Sequence, residues 1–193
     1  MSFKKFWLPD TLPTPQAVAN SVLSRRKLLV GGASALGVFL AAPHLSWANK
    51  GNTSNPNQKT ELQELMILAL QHEHGAFVQY SNHTGLLSLW LERDVTSTYK
   101  SIISDEVQHA IVLVQALQAS GAEPTLAVWP ARSGDAPEVL LQQDIAAEEN
   151  AVDIYQQILE LNPEAGLQKE IESIKESERG HQEIFESMLQ EIS

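Results

Sequence analysis

The chain has 193 residues, of which 43% are hydrophobic and 19% charged, and its 13 Lys and Arg against 24 Asp and Glu give a net charge of −11. This length suits one domain or at most two small ones, and the acidic balance argues against nucleic acid as a partner. The sequence contains no cysteine, which excludes disulfides, thiolate zinc sites, cysteine-ligated iron–sulfur clusters and a cysteine nucleophile. Any metal site must therefore use histidine and carboxylate ligands.

The first 48 residues differ in character from the rest of the chain. Arg25, Arg26 and Lys27 lead into an uncharged, mildly apolar run over residues 28–42, whereas residues 49–193 carry 8 basic and 23 acidic groups. The apolar run is shorter than the ~20 residues that a membrane-spanning helix needs. Residues 46–48, Ser-Trp-Ala, form a small-x-small cleavage pattern, so we expect residues 1–48 to be a targeting segment cleaved after Ala48.

This layout resembles a twin-arginine export signal. The resemblance implies a bacterial protein that folds in the cytoplasm, often around a metal cofactor, and that the twin-arginine export machinery then carries to the periplasm. An ordinary secretory signal and an uncleaved anchor are the alternatives. Residues 49–59 are rich in Asn, Gly, Ser and Thr, which predicts a flexible linker between the signal and a folded domain over residues 60–193.

Two helices are predicted in the first half of this domain. Apolar residues recur at helical spacing from about Thr60 to Trp90, although Gly75 weakens the pattern locally. Asp94 is expected to cap a second helix that stops near Gly121.

Two more helices are predicted in the second half. Asp135 is expected to cap the third helix, with Pro137 in its first turn and its end near Leu161. Asn162 and Pro163 repeat this start signal for a fourth helix that reaches the C-terminus. No strand pattern is present, and residues 121–135 are enough to cross a bundle from end to end. We therefore expect an all-α, four-helix bundle with a long crossover between helices two and three.

A first motif occurs twice, on the first and third helices. Glu-x-x-Ala-x-x-x-Tyr runs from Glu73 to Tyr80 and again from Glu148 to Tyr155. Seven residues make almost two helical turns, so each Glu shares a helix face with its Tyr.

A second motif, Glu-x-x-His, occurs on the second and fourth helices. It places Glu106 with His109 and Glu178 with His181, each pair on one helix face and able to reach a common metal ion. The same order of motifs occurs in both halves, with separations of 33 residues from Glu73 to Glu106 and 30 from Glu148 to Glu178. This register indicates an internal repeat of helix pairs.

Folding the two pairs together would bring four carboxylates and two imidazoles to one level of the bundle. Buried without partners, the carboxylates would be very costly, whereas two divalent cations would neutralise them. Carboxylate and imidazole ligands suit iron or manganese better than copper or structural zinc. The sequence predicts a dinuclear site, and the alternative is a metal-free hydrogen-bonded network. The six predicted ligands are Glu73, Glu106, His109, Glu148, Glu178 and His181.

These motifs over residues 60–190 resemble the ferritin-like di-iron carboxylate superfamily, in particular its bacterioferritin and rubrerythrin branches. By position, the resemblance implies that Glu73 and His109 bind one metal ion and that the equivalent Glu and His of the second half bind the other. It implies that Glu106 and Glu178 bridge the two ions. Some members also bind haem through a Met or add another Glu ligand, but here those two positions are Val107 and Ala151. We therefore expect no haem.

The resemblance also implies an activity. Dioxygen or hydrogen peroxide would oxidise two bound iron ions, as in a ferroxidase or a peroxidase-type oxidoreductase. Manganese is possible in place of iron. Tyr80 and Tyr155 occupy positions from which a tyrosine can donate an electron. The electron donor stays unknown, and a homodimer is possible. The alternative function is a non-catalytic metal-binding or interaction protein with a structural metal site.

Several residues near these motifs carry simpler expectations. His72 and His74 point away from Glu73 on a helical wheel, so we expect them on the surface, although with His83 they could form an access route or an auxiliary metal site. We expect Tyr99 to pack in the interior, Trp90 and Trp129 to pack at the ends of the bundle, and Gly180 to allow either close helix approach or access of the oxidant.

Overall fold

The structure, a computed structural model, describes residues 56–91 and 94–192. Within these ranges it contains four α-helices and no strand, which confirms the all-α four-helix bundle. A long connection over residues 121–136 joins the second helix to the third, as predicted. The helices are α1 (Pro56–Leu87), α2 (Val95–Ser120), α3 (Pro137–Glu160) and α4 (Ala165–Ile192).

The predicted export signal, its cleavage point and residues 49–55 of the predicted linker lie outside the described residues. None of the described helices is both long enough and apolar enough to cross a membrane.

Both predicted ends of α2 are confirmed. The Asp94 side chain accepts a hydrogen bond from the backbone N–H of Ser97 at 3.1 Å, which satisfies one of the free donors at the helix start. Gly121 ends the helix at φ 83°, a left-handed conformation that costs glycine little, and its N–H donates to the carbonyl of Gln118.

The starts of the other helices differ from the prediction. Helix α1 begins at Pro56, inside the predicted linker, because proline suits a first turn in which its missing N–H is not needed. The N-cap of α3 is Ala136 and not Asp135. Asn162 does not start α4 but adopts a φ of 49° just after α3, which asparagine tolerates better than most residues, and Pro163 then prevents the helix from continuing.

The bundle core consists of two apolar clusters along the helix axes. Helix α1 packs against α2 and α3, and α4 packs against α3 and more sparsely against α2. In α1, Leu70 belongs to one cluster and Tyr80 to the other, whereas in α2 Ile102 and Leu113 follow in the opposite order. The motif carboxylates therefore occupy a polar layer between two apolar clusters.

The crossover lies along α1 and is hydrogen-bonded to it. The backbone N–H of Trp129 donates to the carbonyl of Gln71 at 2.8 Å, and the N–H of Arg132 donates to Oε1 of Gln79 at 2.9 Å. The prediction that Trp129 packs at a bundle end is therefore wrong, because the crossover brings it to the middle of α1. Trp90 does lie just past the end of α1, but its side chain is exposed.

Gly75 is the residue that permits this close approach. A Cβ atom there would lie 2.9 Å from both the Cβ and the carbonyl oxygen of Trp129. We expect Gly75→Ala to destabilise the protein by about 1–3 kcal/mol, because the crossover must move. Gly85→Ala is the matched control on the same helix, since its Cβ would meet nothing within 4 Å and alanine favours the helix by up to about 1 kcal/mol. Urea unfolding curves measure both, and midpoints that move in the same direction would contradict this account.

Candidate metal centre

The structure brings the six predicted ligands together in the polar layer. Each helix contributes one Glu, and α2 and α4 add one His each, because the motif spacing turns these residues to the bundle interior. All six residues are buried, the most exposed being His109 at 6%. They are Glu73, Glu106, His109, Glu148, Glu178 and His181.

Each imidazole faces three carboxylates through one nitrogen atom. Nδ1 of His109 lies 2.9 Å from Glu178 Oε1, 3.0 Å from Glu106 Oε2 and 3.7 Å from Glu73 Oε2. A ring nitrogen carries at most one proton and can satisfy one of these acceptors well. A metal ion, in contrast, accepts lone pairs from several ligands at once.

The second imidazole repeats this arrangement in the other half of the repeat. Nδ1 of His181 lies 3.2 Å from both Glu106 Oε1 and Glu178 Oε2, and 3.8 Å from Glu148 Oε1. Glu106 and Glu178 therefore face both imidazoles, whereas the Glu of α1 and that of α3 each face one.

Two buried oxygen atoms at the centre have no hydrogen-bond partner, namely Oε1 of Glu106 and Oε1 of Glu178. Each has a His nitrogen nearby that does not meet the geometry of a hydrogen bond. Buried acceptors without a hydrogen-bond partner are rare unless they bind an ion or accept a hydrogen bond from an ordered water molecule. The ligand atoms form two groups that could each hold a metal ion, and both groups include Glu106 and Glu178. The donor set thus fits a dinuclear site.

Burial and mutual repulsion set the charge of the metal-free cluster. Burial, and then the charges of Glu178 and Glu106, raise the pKa of Glu73 and Glu148 well above its usual value. For His181, burial alone would lower the pKa, but the adjacent carboxylates of Glu106 and Glu178 outweigh it and raise the pKa to about 10.

The pKa values of two more predicted ligands are set by the same balance between burial and neighbouring charged groups. Burial alone would lower the pKa of His109, but the adjacent carboxylates of Glu106 and Glu178 raise it well above its usual value. Burial alone would raise the pKa of Glu106, but the two adjacent histidines lower it to about 2. The raised pKa values of Glu73, Glu148 and both histidines therefore favour the protonated forms of these groups in the metal-free protein.

Metal binding must displace these protons, so we expect affinity for a divalent ion to increase with pH. The sign follows because the four raised pKa values favour the protonated, metal-free form, which becomes less favourable as pH rises. With one to two protons released per ion, the association constant should rise roughly 10- to 100-fold per pH unit between pH 6 and 8. Calorimetric titration in buffers of different ionisation enthalpy counts the released protons. Equal affinities at pH 6 and pH 8 would contradict the prediction.

The two motif tyrosines form hydrogen bonds across the bundle. The hydroxyl of Tyr80 donates to Glu148 Oε1 at 2.7 Å, and the hydroxyl of Tyr155 donates to Glu73 Oε1 at 2.5 Å. The sequence places each Tyr on the same face as the Glu of its own motif, but each bonds the Glu of the other motif. Both tyrosines orient a predicted ligand, and burial, then the nearby carboxylates, raise their pKa values, which keeps the phenols protonated.

Asp105 is a contributor that the motif analysis did not assign. Its Oδ2 lies 3.4 Å from Nε2 of His181, on the side of the ring away from the predicted metal position, and Ser177 Oγ is equally close. Such outer contacts orient a ligand imidazole. Beside this histidine, a Cβ at Gly180 would meet nothing within 4 Å. Close helix approach is therefore not the reason for this glycine.

The histidines of α1 correct one expectation. His72 is buried and not on the surface, because the crossover covers it and the Trp129 ring lies 5.8 Å from its own, and this burial lowers its pKa. His74 is partly exposed, and its Nδ1 lies 3.0 Å from the carbonyl oxygen of Ala127. His83 is also buried, with Asp144 as its partner. A helical wheel cannot predict this burial, because it does not show which segment covers the outer face of α1.

The sequence matches no protein-family model and no curated protein. Solved structures do match. A ferritin-like, diiron-carboxylate protein from Bacillus anthracis str. Ames is 20% identical with a TM-score of 0.64, over 70% of this chain and 99% of that one.

Two bacterioferritins are also similar. The Desulfovibrio desulfuricans protein, solved with its diiron site in different catalytic states, is 26% identical with a TM-score of 0.64, over 74% of this chain and 84% of that one. The Rhodobacter capsulatus protein, solved with a metal-free dinuclear site and a heme iron, is 24% identical with a TM-score of 0.62, over 68% and 84%. The chain is thus a four-helix bundle of the ferritin-like fold, whose structural neighbours are diiron-carboxylate proteins and bacterioferritins.

Proposed function

We propose that this protein is an exported diiron protein whose reduced site reacts with dioxygen or hydrogen peroxide, as a ferroxidase or a peroxidase-type oxidoreductase. The observation that carries the proposal is the buried layer of four Glu and two His with unpartnered oxygen atoms on Glu106 and Glu178. Carboxylate with imidazole suits iron, and manganese is the alternative with the same ligands. The diiron sites of structurally similar proteins support iron.

In this proposal Glu73 and His109 would hold one ion, Glu148 and His181 would hold the other, and Glu106 and Glu178 would bridge them. When bound, iron supplies one-electron redox chemistry toward the oxidant. The chain keeps the site dry by placing it between apolar clusters, which strengthens every charge interaction in it. Tyr80 and Tyr155 orient Glu148 and Glu73 through their hydroxyl groups and are close enough to donate electrons to the site.

Oxidation of bound iron tests this function in the purified full-length protein. We expect two iron ions per chain and an absorbance increase near the blue end of the visible range when the reduced form meets dioxygen or hydrogen peroxide. Initial rates with each oxidant, compared under equal conditions, separate a ferroxidase from a peroxidase. A protein that holds two ions but is inert to both oxidants would instead have a structural metal site, and one that binds no metal would rule out both functions.

Export is the second part of the proposal and depends on the basic pair and cleavage pattern in residues 1–48. We expect the double variant Arg25→Lys, Arg26→Lys to remain in the cytoplasm with its signal uncleaved, since lysine preserves charge but not the arginine pair. Fractionation of bacterial cells and immunoblotting measure this. Lys4→Arg with Lys5→Arg is the control, and export of the first variant at normal efficiency would indicate an ordinary secretory signal.

A further inference from the structure

A second buried polar cluster lies beside the candidate metal centre, around Asp144 of α3. This carboxylate is 0% exposed. Its Oδ1 accepts hydrogen bonds from Nε2 of Gln79 at 2.9 Å and from Nδ1 of His83 at 2.7 Å. Its Oδ2 accepts from the hydroxyl of Tyr99 at 2.5 Å. Three donors on one buried carboxylate are the pattern expected of the ionised form.

The hydrogen bonds of His83 show how this charge is compensated. Nε2 of His83 lies 2.9 Å from the carbonyl oxygen of Arg132, so both ring nitrogens face acceptors. Making both bonds requires a proton on each nitrogen when Asp144 is ionised. The cluster is then a neutral pair, an imidazolium and a carboxylate, inside an apolar part of the core.

Tyr99 connects this pair to the metal centre. Its ring lies 6.1 Å from that of Tyr80 at 75°, an edge-to-face contact, and Phe185 packs against both rings at 5.2 and 5.4 Å. The hydroxyl of Tyr80 in turn donates to Glu148, a predicted ligand. A continuous path therefore runs from Asp144 through two tyrosine rings to the site.

Holding the crossover in place explains only part of the cluster. Gln79 and His83 both bond to the backbone of Arg132, so they attach the crossover to α1. Tyr99 has no contact of this kind among the described residues, and phenylalanine would fill the same apolar space. Its hydroxyl is instead directed at a buried base, and this arrangement needs another explanation.

We propose that Tyr99, with Asp144 as its proton acceptor, is a relay residue that supplies one electron to the oxidised metal site through Tyr80. This inference rests on the proposed function and applies to dioxygen, whose reduction to water takes four electrons. Two ferrous ions at the site supply two of them, Tyr99 supplies the third, and ferrous iron in excess of the site supplies the fourth. In the step, Tyr99 loses one electron, which reduces the site by one electron, and its O–H bond breaks as the proton moves to Oδ2 of Asp144. The products are a neutral tyrosyl radical and a protonated Asp144 that still accepts a hydrogen bond from His83.

Asp144 is necessary in this step because a phenol that has lost an electron is a strong acid and must release its proton. Burial, followed by the charge of Asp144, raises the pKa of Tyr99, so the phenolate does not form beforehand and electron and proton must leave together. The tyrosine is completely buried, so bulk solvent cannot take the proton directly.

The test uses electron paramagnetic resonance of frozen samples after the full-length chain, loaded with ferrous iron in slight excess over two ions, is mixed with dioxygen. The chain has only 3 Tyr, so single variants assign a radical, and growth on ring-deuterated tyrosine separates tyrosyl from tryptophanyl signals. We expect a tyrosyl radical in the unmodified protein. In Tyr99→Phe this signal should be replaced by one of different hyperfine pattern, on Tyr80, that decays at least tenfold faster.

Asp144→Asn gives a second measurement, because it retains Tyr99 and a hydrogen-bond acceptor but removes the base. We expect loss of the Tyr99 radical in this variant with iron content unchanged, which a structural role of Asp144 would not produce. If Asp144→Asn does not fold, Tyr99→Phe decides alone.

The possible failures are distinguishable. An identical radical in the Tyr99→Phe variant, or no tyrosyl radical although the iron is oxidised, would overturn the relay and leave the proposed function intact. If the bound iron is inert to both dioxygen and hydrogen peroxide, the relay and the proposed function are both wrong.

Discussion

Replacing Glu178 with alanine should reduce the metal content of the protein from two ions per chain to one at most. Both groups of ligand atoms include Glu178, so its loss removes a ligand from each position at once. Its Oε1 is also one of the buried oxygens without a hydrogen-bond partner. Metal analysis after dialysis measures the ratio, and thermal unfolding with and without iron should show that the metal-dependent increase in Tm is largely lost.

Glu176→Ala is the matched control for this variant. It removes an exposed carboxylate two residues away on the same helix, where the surface ion pair with Arg179 is worth about 0–1 kcal/mol. We expect it to bind two ions. Glu106→Ala should behave like the Glu178 variant, because Glu106 is the other shared ligand. If either variant of a shared carboxylate retains two ions, the proposed bridging is wrong.

Replacing Asp144 with alanine should destabilise the metal-free protein by about 3–5 kcal/mol, because it leaves a buried imidazole and a buried phenol without their acceptor. His83 and Tyr99 would both lose their bonds to the carboxylate, and neither is exposed to water. The attachment of the crossover to α1 should weaken as well, since Gln79 bonds both Asp144 and Arg132.

Asp153→Ala is the control, since Asp153 is exposed on the same helix and its loss should change the free energy of unfolding by at most about 0.5 kcal/mol. Chemical denaturation of the metal-free variants gives both values. A difference of less than about 1 kcal/mol between the two would show that the Asp144 cluster adds little to stability.

The placement of the six predicted ligands could be predicted from the sequence because it depends on two regular features. Helical periodicity assigns Glu106 and His109 to one face, and the internal repeat relates them to Glu178 and His181 at the same depth. The N-cap of α2 at Asp94 could be predicted for a similar reason, since a cap depends on residues near it in the chain.

Local signals were less reliable where two assignments compete. Asn162 before Pro163 is equally consistent with the start of one helix and the end of another, and the left-handed backbone after α3 decided for the end. Asp135 has the chemistry of a cap, but the chain enters α3 one residue later, at Ala136.

The remaining features required the tertiary structure, because they depend on which segments cover each helix face. The sequence shows that α1 has an inner face, but not that the crossover covers its other side and buries His72 and His83. It places Tyr80 on the face of Glu73, yet the packing of α1 against α3 directs the hydroxyl to Glu148. Periodicity within each helix was thus enough to predict the fold class and to place the six predicted ligands on inner helix faces. Contacts between helices, which no spacing along the chain encodes, decided the hydrogen bonds around them.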